Sequence, residues 1–175
     1  MFPDLETAYR WLDAQVNHET VLGRIVYDDR AFELEGFRRR LEAFGNPHRG
    51  LKTIHIAGTR GKGSAALALE ALLRASGLRT AVFTSPHIRE YRERIRIDGE
   101  LLSTPLFCDG LARAARIQSR GPLPAAGFKT VFENLTALFF WAARHCGVDW
   151  AIVETGLGGR LDATNVVAPG PVLLT

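Results

Sequence analysis

The chain has 175 residues, 46% of them hydrophobic, and a formal net charge of +3 at pH 7. A chain of this length buries one core of ordinary size, which favours a single globular domain and excludes a second full one. The charge excess is too small and too scattered to indicate a nucleic-acid-binding protein, whereas an anionic small substrate is compatible with it.

The two ends of the chain and its two cysteines give expectations about cellular location and about whether the sequence is a fragment. The N-terminus is amphipathic and acidic, unlike a signal peptide, and no later apolar run reaches about eighteen residues. Cys108 and Cys146 have no CxxC spacing, which predicts neither a disulfide framework nor a zinc site. We expect a cytoplasmic protein with no membrane partner. Residues 171–175 are apolar and predict a buried final strand, so we expect residues 1–175 to be a fragment.

In the first half of the chain, apolar residues at helical spacing predict a helix from Leu5 and a second one over 34–44, with a loop over 18–30. Residues 52–57 are rich in β-formers and predict a strand, followed by a glycine loop and a helix over 64–76. A second strand over 79–84 follows after a very short connection, which is typical of a parallel βαβ unit.

In the second half, residues 94–100 alternate charged and apolar and end in Asp-Gly, which predicts one arm of an exposed hairpin with outward arginines. Thr104 is the predicted N-cap of a helix that runs to 118, and a loop over 120–129 follows. A helix over 131–145 then precedes a strand over 150–155. Together these elements predict a three-layer α/β domain, P-loop-type, with a mostly parallel sheet.

A glycine-rich segment, GTRGKGS at 58–64, lies between the first predicted strand and its helix. Free backbone N–H groups and the helix dipole favour phosphate at such a place. Lys62 supplies a positive charge that reaches phosphates, and the Ser64 hydroxyl is placed to bind Mg²⁺. The strict GxxxxGK[ST] pattern is not met, because Ile56 replaces its first glycine and Gly63 separates Lys62 from Ser64.

Two other segments follow predicted strands. Residues 153–165 begin with Glu154, a hard oxygen ligand suited to Mg²⁺, and continue into a glycine-rich run. Residues 83–87 follow the second strand. Ligands of open α/β sheets bind at the carboxyl ends of the strands, so we expect all three segments to meet at one sheet edge.

Four motifs in these segments carry a resemblance to a known family: GTRGKGS at 58–64, TSPH at 84–87, FE at 132–133 and ETGLGGRLDATN at 154–165. Together they resemble folylpolyglutamate synthase/dihydrofolate synthase, a branch of the Mur ligase superfamily, over nearly the whole chain. The last motif is the specific one, since Mur-type ligases share the P-loop form. One departure is Arg60, where asparagine is usual.

The resemblance implies an ATP-dependent ligase that joins L-glutamate to a dihydropteroate or tetrahydrofolate carboxylate through an acyl phosphate, and that is monomeric at full length. It implies ATP, Mg²⁺ and folate sites with Lys62 as the catalytic candidate. The ATP site comprises Thr59, Arg60, Gly61, Lys62, Gly63 and Ser64. The Mg²⁺ ligands are Ser85 and Glu154, with Ser64 near the same ion. The pterin contacts are Phe132, Glu133, Leu161, Asp162 and Ala163.

The family normally continues into a C-terminal domain that binds glutamate and part of ATP, and none of it lies within 1–175. We therefore expect the isolated chain to bind nucleotide weakly and to turn over little. Two alternatives stay open: a non-catalytic nucleotide-binding module, or another Mur-type amino-acid ligase. Residues 38–40, three arginines, are interpreted as a solvated helix face, His87 as a turn residue and His55 as structural.

Overall fold

A computed structural model describes residues 2–17, 34–119, 130–157, 159–168 and 170–175. The loops predicted over 18–30 and 120–129 lie outside these residues. The described helices are α1 (Leu5–Asp13), α2 (Leu34–Ala43), α3 (Lys62–Ala75), α4 (Thr104–Ser119) and α5 (Val131–Cys146). The described strands are β1 (Thr53–Ala57), β2 (Thr80–Phe83), β3 (Ile95–Ile97), β4 (Glu100–Leu101), β5 (Trp150–Glu154) and β6 (Val172–Leu174).

The strands form one sheet in the order β4-β3-β2-β5-β1-β6. Neighbours from β2 to β6 run parallel, while β3 and β4 form an antiparallel hairpin at one edge. The mostly parallel sheet predicted from the sequence is confirmed. Although β1 and β2 are successive in the chain, β5 lies between them and pairs with both.

Helices cover the central strands on both faces, which confirms the three-layer prediction. Alternate residues of a strand face opposite sides of a sheet. One face of the central strands packs with Ala66 of α3, and the other packs with α1, α4 and α5 around a larger core. The strand residues in the α3 layer are Ile56, Val82 and Ile152. Those in the larger core include Ala81, Phe83, Ala151 and Val153.

Local chemistry sets the helix ends. α3 begins two residues earlier than predicted because Gly61 takes the left-handed conformation, φ 77°, at its N-cap. α4 begins at Thr104, so the predicted cap is its first residue. α5 is closed by Gly147, also left-handed. Within the described residues no helix is long and apolar enough to cross a membrane, and Cys108 and Cys146 are both free.

The predicted hairpin is present, with Asp98 and Gly99 at φ 50° and 85° in its turn. Its description as exposed with outward arginines is wrong for Arg94, which is 1% exposed. The Arg94 Nε–H donates to His87 Nδ1 over 2.9 Å, so the guanidinium turns inward to a ring acceptor. The solvated face predicted for residues 38–40 is likewise wrong at Arg40, which is buried where α2 meets the core.

The sequence predicted a buried final strand, and the predicted burial is wrong. β6 pairs in parallel with β1, so the strand itself forms. It is the edge strand of the sheet, and Leu174 is 76% exposed. An apolar run thus predicted strand formation correctly, but burial depends on which elements cover its faces, and none of the described helices covers these side chains.

Glu70 on α3 ties the helix to the hairpin, because its buried carboxylate accepts from Gly99 N–H over 3.0 Å and lies 3.5 Å from Arg96 Nε. Glu70→Met should lower the free energy of unfolding by about 1–3 kcal/mol, since it leaves a buried N–H without an acceptor. Glu70→Gln keeps an acceptor oxygen and should lose less. Urea unfolding measures both, with the exposed Glu42→Gln as control; a Met variant as stable as the natural chain would contradict this role.

Candidate functional site

The three central parallel strands bring the predicted segments together. β2, β5 and β1 are neighbours, so the loops after them leave the same sheet edge side by side. The Ser85 N–H donates to Glu154 Oε2 over 3.0 Å. A Cβ placed on Gly63 would lie 3.4 Å from the same oxygen. Glu154 at the end of β5 therefore lies between the glycine-rich loop and the Ser85 segment, and the three segments meet at one sheet edge as the sequence predicted.

The glycine-rich loop leads directly into the N-terminus of α3. Residues 58–61 are exposed between β1 and the helix. The first turn of this 14-residue helix contains no acidic residue, and its N-cap residue, Gly61, provides no side-chain cap. Lys62 is the first helical residue and Ser64 the third. The end of α3 thus presents free N–H groups, the positive end of a helix dipole and one lysine, a combination suited to phosphate.

Close approach explains two of the loop glycines. Gly58 has φ 140°, and a Cβ there would come within 2.8 Å of the Thr175 backbone N. Gly63 faces the Glu154 carboxylate, as described above, so a larger residue there would crowd the space between α3 and β5. Arg60, the departure from the usual motif, is exposed on the loop, where its guanidinium is accessible from solvent.

Glu154 is the buried charge of this edge, at 3% exposure. Burial raises the pKa of Glu154, while the Ser85 N–H and the charge of Lys62 act in the opposite direction. Within the described ranges no group of three or more His, Cys, Asp or Glu side chains is placed to hold a metal ion. A carboxylate is a hard oxygen ligand, so Glu154 between the Ser85 segment and the N-terminus of α3 fits a hard cation whose other ligands would be hydroxyl and phosphate oxygens.

Asp162 organises the loop that follows β5. It is 6% exposed, and its oxygens accept from the N–H groups of Gly156, Leu157 and Thr164 and from the Thr164 hydroxyl. Burial raises the pKa of Asp162, and these hydrogen bonds oppose that shift. A carboxylate has about four acceptor positions. The loop's own donors therefore fill the acceptor capacity of this residue.

Phe132 lies against the same loop. A Cβ on Gly156 would come within 2.6 Å of the Phe132 ring and 3.1 Å of Asp162 Oδ2. On its other side the ring packs on Phe83, with centroids 5.6 Å apart. Of the remaining predicted pterin contacts, Leu161 is half-buried and Ala163 is buried at 9% exposure. Phe132 of α5 and the loop that Asp162 organises therefore pack together at Gly156.

Glu133 has a local role that the sequence analysis did not include. Its carboxylate accepts from the Thr130 N–H and hydroxyl over 3.1 Å, and its own N–H donates to Thr130 Oγ1. This reciprocal pair is the capping box of α5. The T-x-x-E pattern at 130–133 predicts such a cap and could have been recognised in the sequence. Its predicted contact with a pterin stays a prediction.

Two histidines have partners near the site. His87 accepts from Arg94 and packs on Tyr91, with ring centroids 4.6 Å apart, which agrees with a turn-stabilising role. His55, on β1, lies 2.8 Å through Nε2 from the Thr164 hydroxyl. The sequence analysis assigned no role to Thr164, although it stands inside the DATN segment, because nothing local shows that the loop folds back onto β1.

No family model matches this chain. The chain is, however, similar in sequence to several curated proteins. The chain is 42% identical over 136 residues to folylpolyglutamate synthase of Lacticaseibacillus casei, covering 77% of this chain and 32% of that protein. It is 40% identical over 141 residues to dihydrofolate synthase/folylpolyglutamate synthase of Mycobacterium tuberculosis, covering 76% and 29%. This chain is homologous to the folylpolyglutamate synthase/dihydrofolate synthase family.

Solved structures agree with this homology. The apo form of L. casei FPGS superimposes with a TM-score of 0.80 at 32% identity, covering 98% of this chain and 40% of that one. A complex described as FPGS-AMPPCP-folate gives a TM-score of 0.81 at 32% identity with the same coverage. The α/β fold with its mostly parallel sheet is therefore that of these structures. The chain spans less than half the length of the relatives and structures it matches.

Gly156→Ala tests the contact between the loop and Phe132. The added methyl group would overlap the ring, and overpacking of this kind costs about 1–3 kcal/mol. Thermal unfolding should therefore show a lower midpoint for this variant. Gly159→Ala is the matched control in the same loop, because a Cβ there meets none of the described residues within 4 Å. Equal midpoints for the two variants would contradict the packing described here.

Glu154→Gln should raise the free energy of unfolding at neutral pH, because the folded state no longer holds a buried charge. Because the pKa of Glu154 is raised in the folded state, the folded natural chain binds the carboxyl proton of Glu154 more tightly than the unfolded chain does. Its stability should thus fall as pH rises from the ordinary value of 4.5 through the folded pKa. Urea unfolding across this range should show a smaller fall for the variant, with Glu42→Gln as the exposed control. A Glu154→Gln variant less stable than the natural chain at neutral pH would contradict the description of Glu154 as a destabilising buried charge.

Proposed function

We propose that this chain is the nucleotide- and acceptor-binding part of an ATP-dependent ligase that joins L-glutamate to the carboxylate of dihydropteroate or a tetrahydrofolate. The observation that carries the proposal is the position of buried Glu154 between the phosphate-binding end of α3 and the Ser85 segment. The relatives named folylpolyglutamate synthase and dihydrofolate synthase favour a folate acceptor over the amino-sugar-linked acceptor of a cell-wall ligase.

The reaction has two steps. An oxygen of the acceptor carboxylate attacks the γ-phosphorus of ATP and ADP leaves, which gives an acyl phosphate. The glutamate amine then attacks the acyl carbon, phosphate leaves, and the amide forms with release of the amine protons. Charge develops on phosphate oxygens in the first step, so groups that neutralise those oxygens stabilise its transition state.

The nucleotide site is assigned to the loop and helix end before α3. The N–H groups of this segment and the Lys62 ammonium would hold the phosphates, which makes Lys62 the catalytic candidate. The segment comprises Thr59, Arg60, Gly61, Lys62, Gly63 and Ser64. Ser85, Glu154 and Ser64 would hold Mg²⁺, which would supply positive charge that offsets the charge of the phosphates. A solved structure described as an FPGS-AMPPCP complex supports an ATP-type ligand for a relative.

The acceptor site is assigned to the wall formed by Phe132 and the loop after β5. A flat pterin ring suits packing against the partly exposed face of Phe132. Leu161 and Ala163 would add apolar contacts beside it, with Asp162 holding the loop in shape and Glu133 at the adjacent helix end. A relative described as an FPGS-AMPPCP-folate complex supports a folate-type ligand as well as an ATP-type one for this family.

Residues 1–175 are, in this proposal, the ATP-binding part, and a glutamate-binding domain belongs to the portion of the relatives outside the match. The match leaves about three fifths of the L. casei structure uncovered, which is ample for such a domain. The isolated chain should then turn over little, because part of the transition-state contacts is missing. A monomeric full-length enzyme in the cytoplasm stays our prediction.

Lys62→Ala should weaken binding of an ATP analogue to the chain by about ten- to hundredfold, since a charge-assisted contact to phosphate is lost. Isothermal titration in the presence of Mg²⁺ measures this. Lys52→Ala is the control, because Lys52 is an exposed lysine placed over Trp150 and away from the loop. Unchanged affinity in Lys62→Ala, or equal losses in both variants, would overturn the nucleotide assignment.

A further inference from the structure

A chain of hydrogen bonds joins the phosphate-loop strand to the loop after β5. His55 lies on β1, whose neighbours β5 and β6 pair with it on both sides. Its Nε2 is 2.8 Å from Thr164 Oγ1, and that hydroxyl is bonded to Asp162 Oδ1. Asp162 Oδ2 accepts in turn from the N–H groups of Gly156 and Leu157.

The hydrogen-bond donors available fix the direction of the hydrogen bonds between His55, Thr164 and Asp162. A threonine hydroxyl has one hydrogen to donate, and Asp162 is the acceptor that faces it. The Thr164 oxygen must therefore accept from His55, so the imidazole carries its proton on Nε2. Every donor along the path points toward Asp162. The side chains of Thr164 and Asp162 are almost completely buried, at 0% and 6% exposure, where an unsatisfied partner is costly.

The same hydrogen bonds hold the backbone that follows Glu154 in place. The N–H of Thr155, one residue after Glu154, donates to Ile56 O over 2.9 Å. The next two N–H groups are those that Asp162 holds. Phe132 then rests directly on Gly156. The position of the Phe132 ring thus depends on a turn that is fastened through Asp162 and Thr164 to His55 of β1.

We propose that His55 and Thr164 are positioning residues, which hold Asp162 and through it the Gly156–Leu157 turn in the shape that receives the acceptor. The role in receiving an acceptor depends on the proposed function, whereas the fastening of the turn does not. Neither residue touches the reacting atoms in this account. Asp162 contributes mainly as the fixed anion of the turn, because its acceptor positions are filled by the loop.

Amide hydrogen exchange measured by NMR on the 175-residue chain tests the fastening directly. Thr164→Val removes the hydroxyl at nearly constant volume and should raise exchange at Gly156 and Leu157 about tenfold relative to Val153 of β5. Thr164→Ser keeps the hydroxyl and should restore slow exchange. His55→Leu should act like Thr164→Val, and His55→Gln, which keeps a donor near the Nε2 position, should restore protection.

Thr80→Val is the matched control. Thr80 is equally buried in the same sheet, and its hydroxyl has no hydrogen-bond partner among the described residues, so its loss should leave the turn unchanged. Unchanged exchange in Thr164→Val would overturn the proposal, as would the same rise in Thr80→Val or no rescue by serine. A rise confined to the turn and reversed by serine and glutamine would support it.

Binding of dihydropteroate separates this proposal from the proposed function. Thr164→Val should weaken dihydropteroate binding about tenfold while affinity for an ATP analogue with Mg²⁺ stays the same. If the natural chain binds nucleotide but no dihydropteroate, the acceptor assignment fails, and the exchange data still decide whether His55 and Thr164 fasten the turn. Equal loss of nucleotide and dihydropteroate affinity would overturn the positioning role, since it would indicate general damage to the fold.

Discussion

The site depends on the position of β5 between β1 and β2. This order places the carboxyl end of β5, and with it Glu154, directly between the loop after β1 and the segment after β2. The Ser85 N–H then reaches the Glu154 carboxylate, while Gly63 allows the first turn of α3 to approach from the other side. In another strand order the same three segments would leave the sheet apart from one another.

Burial makes this arrangement electrostatically demanding. A carboxylate at 3% exposure is stable as an anion only with nearby donors and positive charge, and here these are the Ser85 N–H and Lys62. The opposing effects leave the pKa of Glu154 raised. A buried carboxylate of this kind would be stabilised electrostatically by a bound cation. Groups with shifted pKa values are typical of functional sites, which give up stability for binding. Asp162 meets the same demand differently, through four hydrogen bonds within its own loop.

Much of this could be predicted from the sequence because it is local. Apolar spacing located the helices and the central strands, and the glycine-rich segments marked the loop before α3 and the loop after β5. The errors arise where burial depends on distant partners. Arg94 turns inward to His87, Arg40 is buried, and β6 is an exposed edge strand. The bond between His55 and Thr164 spans 109 positions, so no local pattern predicts it.

The sheet edge around Lys62, Ser85 and Glu154 is the proposed binding site of a magnesium nucleotide. The most direct test is NMR titration of the ¹⁵N-labelled chain with a non-hydrolysable ATP analogue, with and without Mg²⁺. We expect the largest amide shifts at residues 58–64, 85 and 154–157, an increase in affinity with Mg²⁺, and loss of the response in Lys62→Ala. Shifts centred elsewhere in the described residues, or a response that survives without Lys62 and Mg²⁺, would contradict the account.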